Sequence, residues 1–189
     1  MKFNKLVCTA AVMMTVLSGC SETKDIRYYS LDSADYYAKT GNINNNVLFV
    51  KGVVVPEYLD SKSFVFRGRG HEIFYTNENK WIQELSVLLN DSLLKNLRNR
   101  TEKWFVTNDK SIKNNAELTV SINNFELNDK SIAVVDFDYK FIDGNKNLKI
   151  GTVHHEEKMT GDGYDAMVSA LNTACTTSNS STKKSSCCN

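Results

Sequence analysis

Between Leu118 and Thr152 apolar and polar residues alternate almost without interruption, and no other feature of the 189-residue chain constrains its fold as tightly. Leu118, Val120 and Ile122 alternate with Thr119, Ser121 and Asn123, and Phe125 and Leu127 follow. Ala133, Val135, Phe137, Tyr139 and Phe141 then share one side of a run from Ser131 to Ile142, whose other side carries Asp136, Asp138 and Lys140. A period of two sends successive side chains to opposite faces, so these are strands of a sheet with one dry and one wet face. Asp143-Gly144-Asn145 turns the chain, and Leu148, Ile150 and Thr152 begin the returning strand of a hairpin. A dry face must be covered by a second layer.

Two helices are expected to supply that layer. Trp81, Leu85, Leu88, Leu89, Leu93 and Leu97 recur at helical spacing behind Asn77 or Asn79 as N-cap, and Lys95, Arg98 and Arg100 suit the negative end of the helix dipole. Tyr164, Met167, Val168 and Leu171 mark a second helix capped near Asp162. Upstream, Ile26 and Tyr28 to Leu31 read as a short edge strand. Val47 to Val55 is a nearly continuous β-branched run suited to a strand buried on both faces, closed by Pro56, which cannot donate to a ladder. Phe64 to Arg67 and Glu72 to Thr76 form a hairpin around Arg67-Gly68-Arg69-Gly70, and Trp104 to Thr107 is a further short run. The order predicts an α+β two-layer sandwich, a mostly antiparallel sheet with two helices packed on one face.

Composition adds limits. The chain is 41% hydrophobic with 1 Pro and 9 Gly, which fits one globular domain and excludes collagen-like or Pro-rich architectures. A formal net charge of +1 gives no field to attract nucleic acid or an anionic membrane surface, and no local basic patch replaces it.

The N-terminus carries an address. Lys2 and Lys5 precede an uncharged run from Leu6 to Leu17, which is too short to span a bilayer, since a spanning helix needs roughly 20 apolar residues. Leu17-Ser18-Gly19-Cys20 follows and resembles a lipobox: an aliphatic residue, two small residues, then the Cys that becomes the acylated N-terminus. An ordinary signal peptide cut after a small residue is the competing reading, but Cys20 stands where the lipobox requires it and a polar stretch begins at once. Several palmitate-type acyl chains would hold the protein on a membrane, each buried CH₂ adding about 0.8 kcal/mol. Ser21 after the Cys, rather than Asp, resembles cargo sent to the outer membrane and facing the periplasm. The expected organisation is a signal peptide at 1–19, a lipidated tether at 20–25, a domain at 26–175 and a polar tail at 176–189 without regular structure.

Little else suggests chemistry. Cys175, Cys187 and Cys188 cluster at the C-terminus, where three thiols cannot all pair within one chain and lack the His and spacing of a zinc site. His71-Glu72 lacks the second His of a zinc-protease motif. His154-His155-Glu156-Glu157 places neighbours on opposite strand faces, so they cannot share an ion. Asp136 and Asp138 share a face, yet no base is placed in sequence to tune either. Catalytic residues, metal ligands and cofactors are therefore all expected to be absent.

In combination these landmarks resemble one family, the ABC-type transport auxiliary lipoproteins of the paraquat-inducible C (PqiC) type, associated with membrane integrity. They are the lipobox, Tyr28-Tyr29-Ser30-Leu31, Val53-Val54-Val55-Pro56-Glu57-Tyr58-Leu59-Asp60 with Val65 and Arg67, the helix from Trp81 to Leu97, and Asp165-Ala166-Met167-Val168-Ser169-Ala170. The resemblance implies a non-catalytic adaptor, often a homo-oligomer, that docks on a periplasm-spanning MCE-domain protein and assists lipid traffic between two membranes. Family members usually continue the last helix with more Leu, Ile and Ala, whereas Asn172 to Asn189 is polar here, so that helix is expected to end early. Pro56 and Tyr58 are the candidate partner contacts; Tyr58 either anchors an interface or packs back onto the core. The alternative function is a free-standing lipid-binding or envelope-assembly lipoprotein, which needs a sizeable apolar pocket.

Overall fold

Strand β6 (Ala116–Asn128) is the spine of the fold, and its two edges are used very differently. One edge pairs antiparallel with β7 (Ile132–Ile142), from Glu117 opposite Ile142 to Leu127 opposite Ala133, and β7 pairs antiparallel with β8 (Leu148–Lys158). The other edge is shared by two strands in tandem. β2 (Val47–Val54) runs parallel to Ala116 through Ser121, and β3 (Ser63–Arg67) runs parallel to Leu127 and Asn128. β5 (Phe105–Thr107) extends the sheet beyond β2. β4 (Ile73–Trp81) pairs antiparallel with β3, and β1 (Arg27–Tyr29) lies parallel along the outer edge of β4. The computed structural model describes residues 25–31, 46–101 and 104–181. The signal run, Leu17, Ser18, Gly19 and Cys20, most of the tether, the loop at 41–45, and Cys187 and Cys188 lie outside the described residues.

The α+β architecture is as the alternation predicts: an open sheet of eight described strands, its longest ladders antiparallel, with two helices on its apolar face. β2 is buried on both faces over Val47 to Val50 and lies between two parallel neighbours. At its centre the register slips between Val50 and Gly52, where Gly52 takes φ +116°, a conformation that side chains with a Cβ resist. In the hairpin of β7 and β8 the ring of Tyr139 lies across Gly151, where a Cβ would come within 2.6 Å of it.

The first helix starts later than its spacing suggests. α1 spans Leu85–Arg100, and Trp81 closes β4 instead of opening the helix. Asn77 and Asn79 are strand residues, Asn79 lying opposite Arg27 and accepting a hydrogen bond from the Tyr29 hydroxyl at 3.2 Å. Trp81 keeps its inward direction in either element, so spacing alone could not separate the two. Its ring meets Phe64 edge-on at 4.4 Å and is almost fully buried. The N-cap position is Glu84, whose side chain makes no capping bond; the carboxylate of Asp60, from the turn after β2, accepts the Ser86 N–H at 3.0 Å. It places negative charge at the positive helix end.

The second helix, α2 (Gly163–Ser181), runs past Cys175, correcting the early end expected from the polar sequence. Met167, Val168, Ala170, Leu171 and Ala174 are buried, while the hydroxyls of Thr173 and Thr176 donate back to the carbonyls of Ser169 and Asn172. The two hydroxyls are thus satisfied within the helix itself. Arg100 at the end of α1 donates to the Thr176 carbonyl at 3.4 Å and joins the two helices. Leu85, Leu88 and Leu89 of α1 and the buried face of α2 meet one core, together with Phe64, Trp81, Phe125, Ala133 and Val135 of the sheet. A smaller cluster of Leu48, Val50, Leu94, Val106 and Ala116 lies under the end of α1.

Asp60→Ala should lower stability by about 1 kcal/mol, read as a lower urea midpoint at unchanged slope, because the first turn of α1 then loses its cap. Burial pushes the Cys175 thiol up to about 12 although the residue as a whole keeps some surface. At pH 8 its alkylation should therefore be at least about a hundredfold slower in the folded protein than in urea, followed by mass spectrometry.

Candidate functional site

The turn that carries Pro56 and Tyr58 bridges the two strands sharing one edge of β6. β2 leaves that edge after Ser121 and β3 rejoins it at Leu127. The intervening residues are tightly coiled: the Pro56 carbonyl accepts from the N–H groups of Leu59 at 2.9 Å and Asp60 at 3.0 Å. The coil sends its residues in different directions. Leu59 is fully buried in the core and Asp60 caps α1, while Glu57 is exposed and Pro56 is half-buried beside it. Tyr58 is half-buried and donates its hydroxyl to the Asn123 carbonyl at 3.4 Å, in the stretch where β6 pairs with neither β2 nor β3.

An ion pair lies next to it. Arg67 meets Glu126 through two hydrogen bonds, Nε to Oε1 and Nη2 to Oε2, the second at 3.1 Å. The Glu126 side chain is 4% exposed and that of Arg67 36%, so the carboxylate is sequestered and the guanidinium closes it off from solvent. The fork of two parallel bonds is the geometry that an Arg can offer and a Lys cannot. The pair reaches Tyr58, whose hydroxyl is held above its ordinary range first by burial and then by the Glu126 charge, with Arg67 opposing. The bond to Glu126 in turn raises Arg67. Tyr58, Arg67 and Glu126 form one polar cluster on the face of the sheet away from the helices. Sequence reading isolated Tyr58 and took Arg67 as part of a charged hairpin tip. Glu126 escaped it, because its burial depends on Arg67, 59 residues away.

The same face continues across β7 and β8. Asp136 accepts from Asn124 Nδ2 at 2.6 Å and meets His154 Nδ1, while His154 Nε2 lies 3.7 Å from Glu156. Asp138 accepts from Asn123 Nδ2 at 3.1 Å and from the Thr152 hydroxyl at 2.6 Å, and these bonds, Thr152 first, hold its carboxyl below the usual range. The sequence placed the two carboxylates together, but His154 reaches Asp136 only through the register of β7 with β8. Both nitrogens of the ring face carboxylates, and the neighbouring Thr152 hydroxyl is committed to Asp138. His155 points to the opposite face, as strand geometry requires, with 3.7 Å between its Nε2 and Glu157. His71 lies in the loop between β3 and β4, exposed, not in a strand.

A cleft of about 220 Å³ opens between the end of β1 and α1, lined by Ser30, Leu31, Ile82, Gln83, Leu88, Asp91, Ser92 and Lys95. Its volume is below the roughly 300 Å³ at which ligand pockets begin, and its lining mixes charge with apolar groups. It is not a chamber for acyl chains.

Residues 29–180 match the family model of the ABC-type transport auxiliary lipoprotein component. Two curated proteins called intermembrane transport lipoprotein PqiC, from Escherichia coli K12 and Shigella flexneri, are each 26% identical over 157 residues, covering 82% of this chain and 83% of theirs. A crystal structure of an uncharacterized protein superposes with a TM-score of 0.73 at 24% identity, over 86% of this chain and 99% of that one. A protein from Xanthomonas campestris does so at 0.62 and 15%, over 82% and 91%. These two likenesses concern the fold.

Arg67→Ala should destabilise the domain by about 3 kcal/mol, because the Glu126 carboxylate is then left buried without a partner, whereas Arg67→Ala with Glu126→Gln should recover part of the loss. Urea unfolding of the single and double variants measures both.

Proposed function

The chain belongs to the family of ABC-type transport auxiliary lipoprotein components, and from that premise we propose that it is a non-catalytic adaptor in an intermembrane lipid transport system. In this reading Cys20 is the acylated N-terminus and holds the protein on the outer membrane, facing the periplasm. The domain docks on an MCE-domain protein that spans the periplasm. The observation that carries the proposal is the family match over residues 29–180, which spans the folded domain and begins shortly after the lipobox-like Leu17-Ser18-Gly19-Cys20. Two relatives named as intermembrane transport lipoproteins support the same direction.

The docking surface in this proposal is the turn around Pro56 and Tyr58. It is presented by a rigid base, since Leu59 is fixed in the core, Asp60 on α1 and the Tyr58 hydroxyl on β6. A contact loop held at three points loses little entropy on binding. The half-buried Tyr58 ring would then offer a preformed edge beside the exposed Glu57.

Crosslinking the full-length lipoprotein in cells, through a tag inserted in the folded domain, should recover an MCE-domain protein by mass spectrometry. Tyr58→Ala should reduce that recovery several-fold while the circular dichroism spectrum stays unchanged, and Tyr58→Phe should retain most of it. Recovery of bound phospholipid or self-crosslinks alone would replace the adaptor with a free-standing lipid-binding lipoprotein. Unchanged recovery with Tyr58→Ala would move the docking surface elsewhere.

A further inference from the structure

We propose that Ile26, Tyr28 and Ile82, at the β1 edge of the sheet, form a bilayer-contact surface that seats the domain on the membrane holding its own anchor. The proposal rests on the reading of Cys20 as the acylated residue and adds to it an orientation of the domain.

Three apolar side chains are exposed at this edge. Tyr29 is the inward residue of β1, its ring 5.4 Å from Phe64 and 6.2 Å from Tyr164, so the alternation of the strand turns Tyr28 outward, with Ile26 continuing the same row. On the neighbouring strand Trp81 is inward and Ile82, the next residue, turns outward beside them, its N–H donating to the Tyr29 carbonyl at 2.8 Å. Ile26, Tyr28 and Ile82 are 48%, 54% and 49% exposed. Charged residues border them, the basic Arg27 within β1, Lys80 opposite Tyr28 in the ladder and Lys95 across the cleft from Ile82, and the acidic Asp25 before Ile26 and Asp91 in the same cleft. Aliphatic side chains with a Tyr between long cationic ones is the composition that lies at the level of lipid headgroups.

The length of chain leading to this edge fixes what it faces. Five residues separate Cys20 from Ile26, so even a fully extended chain of six steps sets Ile26 no more than about 22 Å from the acylated residue. Among the other exposed apolar residues described, Phe74 and Tyr75 lie on the neighbouring β4, while Leu148 and Ile150 lie on β8 at the far end of the sheet, five strand spacings or about 24 Å from β1. Both edges carry lysines, Lys149 between Leu148 and Ile150 and Lys140 opposite Ile150 on the far one, so the edge next to the anchor is set apart by its exposed Tyr28 and its short distance from Cys20. The contact is too small to bind a membrane unaided. Tethering turns it into an intramolecular event, in which weak apolar contacts suffice to choose an orientation.

The test uses the full-length chain purified from membranes, with the mass of its Cys20 peptide determined first. Protein carrying Tyr28→Trp, Ile82→Trp or Ile150→Trp is reconstituted in phosphatidylcholine vesicles with or without bromine on the acyl chains. The unsubstituted protein gives the background of Trp81 and Trp104. Quenching by brominated lipid should exceed that background at least twofold for Tyr28→Trp and Ile82→Trp, and should match it for Ile150→Trp. Equal quenching at the three positions, or the strongest at 150, overturns the bilayer contact while an acylated Cys20 leaves the anchor standing. An unmodified Cys20 overturns both.

Discussion

One edge of β6 has to serve two strands, and most of the domain is arranged around that constraint. β2 and β3 both run parallel to β6 on the same side, one behind the other, so the chain between them must leave the sheet and return within a few residues. The short coil that does so uses its residues to compensate the interrupted ladder. Leu59 fills the core, Tyr58 supplies a donor to the carbonyl of Asn123, and Asp60 caps α1. The register of β6 shifts against β7 between Ile122 and Asn124, within the same stretch. A bulge there increases local twist and lets the two branches diverge. The branch with β2 and β5 lies under the end of α1, and the branch with β3, β4 and β1 holds the aromatic core of Tyr29, Phe64, Trp81 and Tyr164.

The meander of β6, β7 and β8 was legible in the sequence because its register depends on a local pattern, two residues long, repeated many times. The same holds for the buried face of α2. What the pattern could not convey were pairings between distant segments. Nothing near Val47 announces that β2 joins β6 in parallel, and nothing near Glu126 announces an Arg. Trp81 shows the limit of spacing as a signal, since an inward residue at a strand end and one at a helix start leave the same trace. The end of α2 shows the limit of composition. Threonines read as coil, yet their hydroxyls find carbonyls one turn back and the helix continues. Of the candidate site, sequence singled out Pro56 and Tyr58 but not the Arg67 and Glu126 pair beneath them.

The polar cluster at Tyr58 and the carboxylates of β7 lie on the face without helices, and both are internally satisfied. Glu126 has Arg67, Asp138 has Asn123 and Thr152, and Asp136 has Asn124 and His154. Networks closed in this way stiffen a sheet, because each member would be costly to leave unpaired in partial burial. A stiff sheet also keeps the turn around Pro56 and Tyr58 in a fixed relation to the strands on either side of it.

The short β1 strand also has a mechanical meaning. Any tension applied to the chain before Ile26 enters the domain along β1, whose three residues pair parallel with Asn79, Lys80 and Trp81. A pull along the strand axis loads those rungs together, in shear, where peeling would break them one by one. It also drags the Tyr29 ring across Phe64 and Tyr164 and strains its bond to Asn79. This three-residue strand is thus a mechanical fuse of the sheet, and one half-buried aromatic ring adds to the load at which it yields.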